Sequence, residues 1–196
     1  MKGLQERLLS LDMEDRAATI GADYEEGRIT LPILGKQFTI DQHSNVTTDI
    51  HVNGWVLGSV LHYINYSKGI PLSSNWVPLR ELPSGKDWYR LFGQQCENVL
   101  KRTADKYPDL FSDLVEMFRA KMIDERFQSD VSVILSPLPL VPILICYWRP
   151  EDGMESSLQL FFDDTAEANI GIDGLYILGV GLALMLERLS KVHSNG

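Results

Sequence analysis

The chain has 196 residues, 44% of them hydrophobic and 23% charged, with a formal net charge of −9. Such a composition supplies ample apolar material for a core, and an acidic balance without any block of Lys or Arg argues against nucleic acid or an anionic membrane as partner. The longest uncharged apolar run, Gly174–Leu186, has 13 residues, short of the roughly 20 that a membrane-spanning helix needs. Leu4, Leu8 and Leu11 recur at helical spacing, and Asp12 is placed to cap a second helical turn over Met13–Thr19, which Gly21 ends. A hairpin follows, with arms Arg28–Leu34 and Gln37–Asp41. Its turn reads as Gly35-Lys36, of type II′, and Pro32 puts the first arm at a sheet edge or bulge.

From about Thr48 to Ser67 the pattern is helical, opening after Thr47-Thr48-Asp49 and stopping at Gly69 and Pro71. Pro71-Leu-Ser-Ser-Asn-Trp-Val-Pro-Leu-Arg-Glu-Leu-Pro83 then reads as a stiff, extended segment, because three prolines fix φ and remove donors. Ser84 or Asp87 is placed to cap an amphipathic helix carrying Trp88, Leu91, Phe92, Cys96, Val99 and Leu100. Tyr107-Pro108-Asp109 interrupts it, and Leu110–Met122 continues on one apolar face. Three strands follow, Val131–Ser136, Leu140–Trp148 and Leu158–Asp163, the last two forming an antiparallel hairpin across Arg149-Pro-Glu-Asp-Gly153. Asp173 is placed to cap a final helix, Gly174–Lys191, apolar on nearly every side and so expected in the core. The order reads as α+β, a single domain over residues 1–196 with an antiparallel sheet and helices packed on it.

Four groups of residues could carry chemistry. Asp163 and Asp164 end a strand, and paired carboxylates there could bind a divalent cation or act as acid and base; the competing reading has one capping the next turn. Alternating side chains converge on one ion only if the strand stops between them. His51, Trp55, Gly58 and His62 share a face if residues 51–67 are helical, but the two imidazoles then stand about 16 Å apart, too far for one metal. Gly54 and Gly58 would admit a flat ligand or simply another helix. Arg80 and Glu81 are neighbours that point to opposite faces of a strand, so one faces inward, where Arg80 could hold a carboxylate or phosphate or pair with Asp163, Asp164 or Glu97. Trp76, in the same stiff segment, could stack on a ligand. Cys96 and Cys146 are the only cysteines, too few and too far apart for an iron–sulfur or zinc set, and read as buried thiols of a reducing compartment. The amphipathic N-terminus lacks a signal-peptide core, so a cytoplasmic location is expected.

Asp12-Met-Glu-Asp-Arg16, the Leu34-Gly35 hairpin, Gly69-Ile-Pro71-Leu72 with Trp76-Val77 and Arg80-Glu81-Leu82-Pro83, Pro139-x-x-Pro142-Ile-Leu-Ile with Trp148, and Leu160-Phe-Phe-Asp163 occur in an order that resembles one family. It is the bacterial and archaeal domain-of-unknown-function family 3786, and the resemblance spans about residues 10–190. It implies an anaerobic setting, near four-cysteine iron–sulfur modules and corrinoid-dependent methyl-transfer proteins. This chain lacks the cysteine cluster of the fused members, so an iron–sulfur role would belong to a partner. The resemblance supplies no catalytic residue.

The leading expectation is a cytoplasmic domain that binds a small molecule or cofactor, a corrinoid or other tetrapyrrole among them, between Trp76, Arg80, Glu81, His51, His62 and Asp163. The alternatives are a protein-interaction module, with self-association included, and a metal-assisted enzyme using Asp163 and Asp164.

Overall fold

The computed structural model describes residues 1–124 and 126–193. It is an α+β structure with two antiparallel sheets, in the strand orders β1-β2-β3-β4 and β5-β9-β8-β7-β6. The chain separates into two compact units. Unit 1 comprises residues 1–75, 136–142 and 163–178; unit 2 comprises residues 76–135, 143–162 and 179–196. The expected single sheet is two because the strands at residues 23–48 close on one another as a meander, which satisfies their ladders locally.

Unit 1 opens with α1 (Lys2–Leu8) and α2 (Met13–Ile20). Asp12 caps α2 as expected, its Oδ1 accepting from the amides of Glu14 and Asp15, both at 3.1 Å. The meander follows as β1 (Asp23–Glu25), β2 (Arg28–Ile33), β3 (Lys36–Asp41) and β4 (Val46–Thr48). Ile33 pairs directly with Lys36, so the turn is Leu34-Gly35 rather than Gly35-Lys36. Both residues have positive φ, 49° and 74°, which is type I′ instead of II′. A leucine there is strained, and its burial is what offsets the strain: Leu34 is almost fully enclosed, as are Leu31, Phe38 and Ile40. Pro32 sits past the end of the β1 pairing, which stops at Thr30, so no ladder donor is missed on that side.

The next helix is shorter than expected. Thr48 still belongs to β4, and α3 runs Gly54–Tyr66, started by Asn53, whose Oδ1 accepts from Trp55 and Val56 amides at 3.1 and 3.2 Å. An Asx cap this good fixes the first turn, so His51 stays outside the helix and shares no helical face with His62. At the other end, Arg16 donates from Nε to the Ile64 carbonyl and from Nη2 to the Ser67 carbonyl, both at 2.8 Å. A guanidinium on the C-terminal carbonyls satisfies orphan acceptors and suits the helix dipole. The Asp12…Arg16 motif is therefore two caps on two helices. Unit 1 also holds α7 (Ala166–Ile170) and the start of α8 (Ile172–His193). Helix α8 begins at Ile172 after Gly171 at φ 75°, so Asp173 lies in its first turn and does not cap it.

In unit 2 the stiff segment is extended only at β5 (Trp76–Pro78) and then tightens into 3₁₀ turns at Leu79–Glu81 and Gly85–Asp87. Arg80 and Glu81 therefore do not take opposite faces of a strand. Both project outward, and they meet at 3.9 Å with side chains 57% and 55% exposed. Neither Ser84 nor Asp87 caps α4 (Tyr89–Phe92), which the turns feed directly. A π-helical segment, Gly93–Glu97, joins α4 to α5 (Asn98–Lys106), and α6 (Leu110–Phe118) follows the Pro108 break.

The strands are β6 (Lys121–Met122), β7 (Val131–Leu138), β8 (Val141–Trp148) and β9 (Ser157–Asp163). The β8–β9 hairpin pairs as anticipated, from Ile143 opposite Phe162 to Trp148 opposite Ser157. Phe92 meets Phe162 edge to face at 5.9 Å, and the apolar residues of α8 here, Leu182, Ala183 and Leu186, are buried. Gly179 admits this contact, because a Cβ there would overlap the Phe92 ring and press on Cys96. Cys96 and Cys146 are free and buried. Among the described residues no helix is long and apolar enough to cross a membrane.

Candidate functional site

Strand β9 presents Ser157, Gln159 and Phe161 on one face, in register with Trp148, Cys146 and Leu144 of β8. Leu144, Cys146 and Phe161 form a small core on which Trp148 packs, leaving the indole half-buried at the end of the strand. Beyond it opens a concavity of about 540 Å³ whose walls include Glu97, Gln128, Trp148, Arg149, Ser157 and Gln159. That is within the size range of small-molecule sites, roughly 300–1,000 Å³.

Glu97 reaches this concavity from the last residue of the π-helical segment. Its Oε1 accepts the Leu160 amide at 3.0 Å. Leu160 lies on β9, and its N–H goes to this side chain rather than to a strand, so the carboxylate stands in for a ladder partner. π-Turns are rare and tend to occur where a helix has been re-aimed for a purpose. Burial pushes the Glu97 carboxyl up, and the Leu160 amide and the charge of Arg80 only partly oppose it.

The sign of the pH dependence follows. A carboxyl with a raised folded pKa binds more protons folded than unfolded, so its contribution to stability falls as pH rises from its ordinary value of 4.5 through the raised one. Glu97→Gln keeps an acceptor for Leu160 and removes the charge. We expect its stability relative to the parent to improve between pH 4 and pH 7. Urea unfolding at several pH values checks this; a pH-independent difference would show that Glu97 ionises freely.

Around the rim, the Arg149 amide donates to Asp130 Oδ2 at 2.7 Å, and Lys101 bridges Asp105 and Glu155 at 3.6 Å each. Below them Tyr147 donates its hydroxyl to Asp105 Oδ1 at 2.8 Å. These contacts fix the walls and hold the hairpin end in place.

The residues singled out from the sequence are distributed as follows. Arg80 borders a smaller recess of about 60 Å³ with Tyr89, Phe92, Glu97 and Gln159. Trp76 is half-buried against the Leu144–Cys146–Phe161 core, so its face is taken by packing. In unit 1, His51 is exposed in the loop before α3. His62 is half-buried beside Tyr66 and close against Gly174, and burial lowers its pKa, with Asp173 opposing. Gly58 makes ordinary contact with Ile177, and a Cβ on Gly54 would meet open space.

Asp163 and Asp164 do converge, because β9 stops at Asp163, but they converge on chain. Asp163, 1% exposed, accepts at Oδ1 from Ser73 N and Oγ (3.2 Å each) and from Thr165 N (3.1 Å) and Oγ1 (2.6 Å). Its Oδ2 accepts from Ser74 N at 2.7 Å. Asp164 accepts from Ser73 Oγ at 2.6 Å and Asn75 Nδ2 at 2.9 Å. Burial would raise the Asp163 pKa, but the donors of Thr165, Ser73 and Ser74 outweigh it and hold the carboxyl below its ordinary value. Among the described residues no three His, Cys, Asp or Glu side chains are grouped to hold a metal.

Glu97 and Trp148 are the residues that sequence reasoning passed over as site candidates. Glu97 sits on the polar side of an amphipathic helix, where a carboxylate is ordinary, and only the π-turn makes it different.

No curated protein and no solved structure matches this sequence. One family model does, over residues 12–185, a stretch that includes the capping motif, the proline-rich block and the β8–β9 hairpin: the chain belongs to the family described as domain of unknown function DUF3786.

Proposed function

We propose that the protein is a ligand-binding domain whose site is the concavity of unit 2, with Trp148 as the flat apolar wall and Glu97 and Gln159 as the polar contacts. The observation that carries this reading is Glu97 itself. It is a half-buried carboxylate, re-aimed by a π-turn and anchored by one backbone amide, at the edge of a volume large enough for a small organic molecule. A corrinoid would find no imidazole or thiol among the concavity's lining residues to act as axial donor. A compact organic ligand therefore suits the site better than a tetrapyrrole. A cytoplasmic, anaerobic setting is part of this proposal and rests on the family resemblance alone.

The test is native mass spectrometry, with an absorbance spectrum, on protein purified anaerobically from its own host. We expect a retained small molecule that Trp148→Ala loses while keeping its fold. A bare parent protein whose melting temperature no member of a metabolite library shifts would overturn the reading.

A second reading, an interaction module, draws on the exposed Ile70 and Leu72 (39% and 41%) in the segment that Asp163 pins. A co-purifying polypeptide in the same experiment would favour it. The metal-assisted reading is the weakest, since every oxygen of Asp163 already accepts hydrogen bonds from the chain.

A further inference from the structure

The concavity and the 60 Å³ recess share two residues, Glu97 and Gln159, so the two volumes meet at a common wall. The charges on that wall are opposite. Glu97 supplies a half-buried carboxylate, and Arg80 supplies a guanidinium at the recess. The two do not close into an ion pair, although Arg80 is near enough for its charge to act on Glu97. The partner Arg80 does have is Glu81, across an exposed contact of 3.9 Å. Such surface pairs are worth roughly 0–1 kcal/mol, so the guanidinium is readily redirected.

We infer that the Glu97–Gln159 wall recognises the zwitterionic head of a free amino acid, its carboxylate on Arg80 and its ammonium on Glu97, with the side chain lying in the concavity toward Trp148. This deepens the ligand-binding reading and rests on it. A guanidinium fork matches a carboxylate bidentately, and a carboxylate fixed by a backbone donor is a preorganised acceptor for an ammonium. Both charges are needed. A bare carboxylate approaching Arg80 would be repelled by Glu97, and a bare amine on Glu97 would face the uncompensated guanidinium. The volumes agree with this division. About 60 Å³ holds a small charged head and little else, while the larger concavity takes a side chain of any size.

The test uses the full chain and each of the common free L-amino acids, by thermal shift and then calorimetry. Each one that binds is compared with its methyl ester, which keeps only the amine, and its N-acetyl derivative, which keeps only the acid. We expect at least one amino acid to bind, with both derivatives about tenfold weaker or worse, the loss expected when one charge-assisted contact is removed. Arg80→Met and Glu97→Gln should each weaken binding by a similar factor. The unliganded melting temperature of Arg80→Met should stay at the parent value, because the side chain is exposed. Absence of binding by every amino acid overturns the inference, and so does equal binding of the ester or the N-acetyl compound. A retained molecule that is not a zwitterion, lost in Trp148→Ala, would remove this assignment and leave the concavity as a site; no ligand of any kind would remove both.

Discussion

Asp163→Ala should lower the unfolding free energy by about 3–4 kcal/mol, among the largest losses for a single side chain in unit 1. The carboxylate is 1% exposed and gathers five donors from three residues, Ser73, Ser74 and Thr165. Truncation leaves buried N–H and O–H groups without acceptors, and each such group costs on the order of 1–3 kcal/mol when water does not reach it. Asp164→Ala is the matched control. Its carboxylate is exposed, and we expect a loss of less than about 1 kcal/mol.

The same carboxylate has a pH signature opposite to that of Glu97. A lowered folded pKa means that the unfolded chain binds the proton more readily, so the contribution of Asp163 is fully present above its ordinary value of 3.8. It is lost as pH falls through the lowered folded value. Asp163→Asn should flatten the acid limb of stability, measured by urea unfolding from pH 2 to pH 6. A loss below about 1 kcal/mol for Asp163→Ala at pH 7 would mean that the Ser73–Asn75 segment is held by something else.

Asp163 also shows how far the sequence could be read. The strand end, the adjacent carboxylates and the turn after them were all legible, because alternation and turn chemistry are local. The donors were not, since Ser73 and Ser74 lie some ninety positions away in a segment read only as stiff. Asn169 is the same case: fully buried, it donates to the Ile70 carbonyl at 2.8 Å and accepts the Ile70 amide at 2.9 Å, and nothing in its neighbourhood announces this. Local signals identified the Asp12 cap, the β2–β3 and β8–β9 hairpins and the Pro108 break. They failed where two local rules competed. Asn53 out-competed the Thr48–Asp49 start for α3, and the 3₁₀ turn at Leu79–Glu81 replaced a strand that two flanking prolines seemed to require. The site was missed for a related reason. The concavity is made by a π-turn and an unpaired strand edge, and neither has a period that a sequence displays.

Gly85→Ala should cost about 2–3 kcal/mol and impair ligand binding together with stability, although residue 85 touches no ligand. The glycine is buried in the second 3₁₀ turn, and a Cβ there would overlap the carbonyl oxygen of Leu79 and approach its carbon at 2.7 Å. The obstacle is backbone, so no side-chain rotation relieves it. The Leu79–Glu81 turn has to move, and it is held from both sides: Leu82 N–H donates to the Leu79 carbonyl at 3.1 Å, and Gly85 N–H to the Leu82 carbonyl at 3.0 Å. Leu79 and Leu82 are each 3% exposed, so the shift would also disturb their burial. Arg80 lies between them, with its Cα 3.3 Å from the new methyl position. Displacing it opens the recess on the side away from Glu97. Gly93→Ala separates this effect from a general intolerance of side chains nearby. Its Cβ would make only ordinary contact with Glu97 Oε2 at 3.5 Å, and alanine favours a helical backbone by up to about 1 kcal/mol over glycine. Urea unfolding and calorimetry on the two variants give the comparison. Gly93→Ala should be neutral or stabilising with binding intact, and Gly85→Ala should lose both. Equal stability of the two would mean that the turn carrying Arg80 yields freely, and a site that needs a positioned guanidinium could not depend on it.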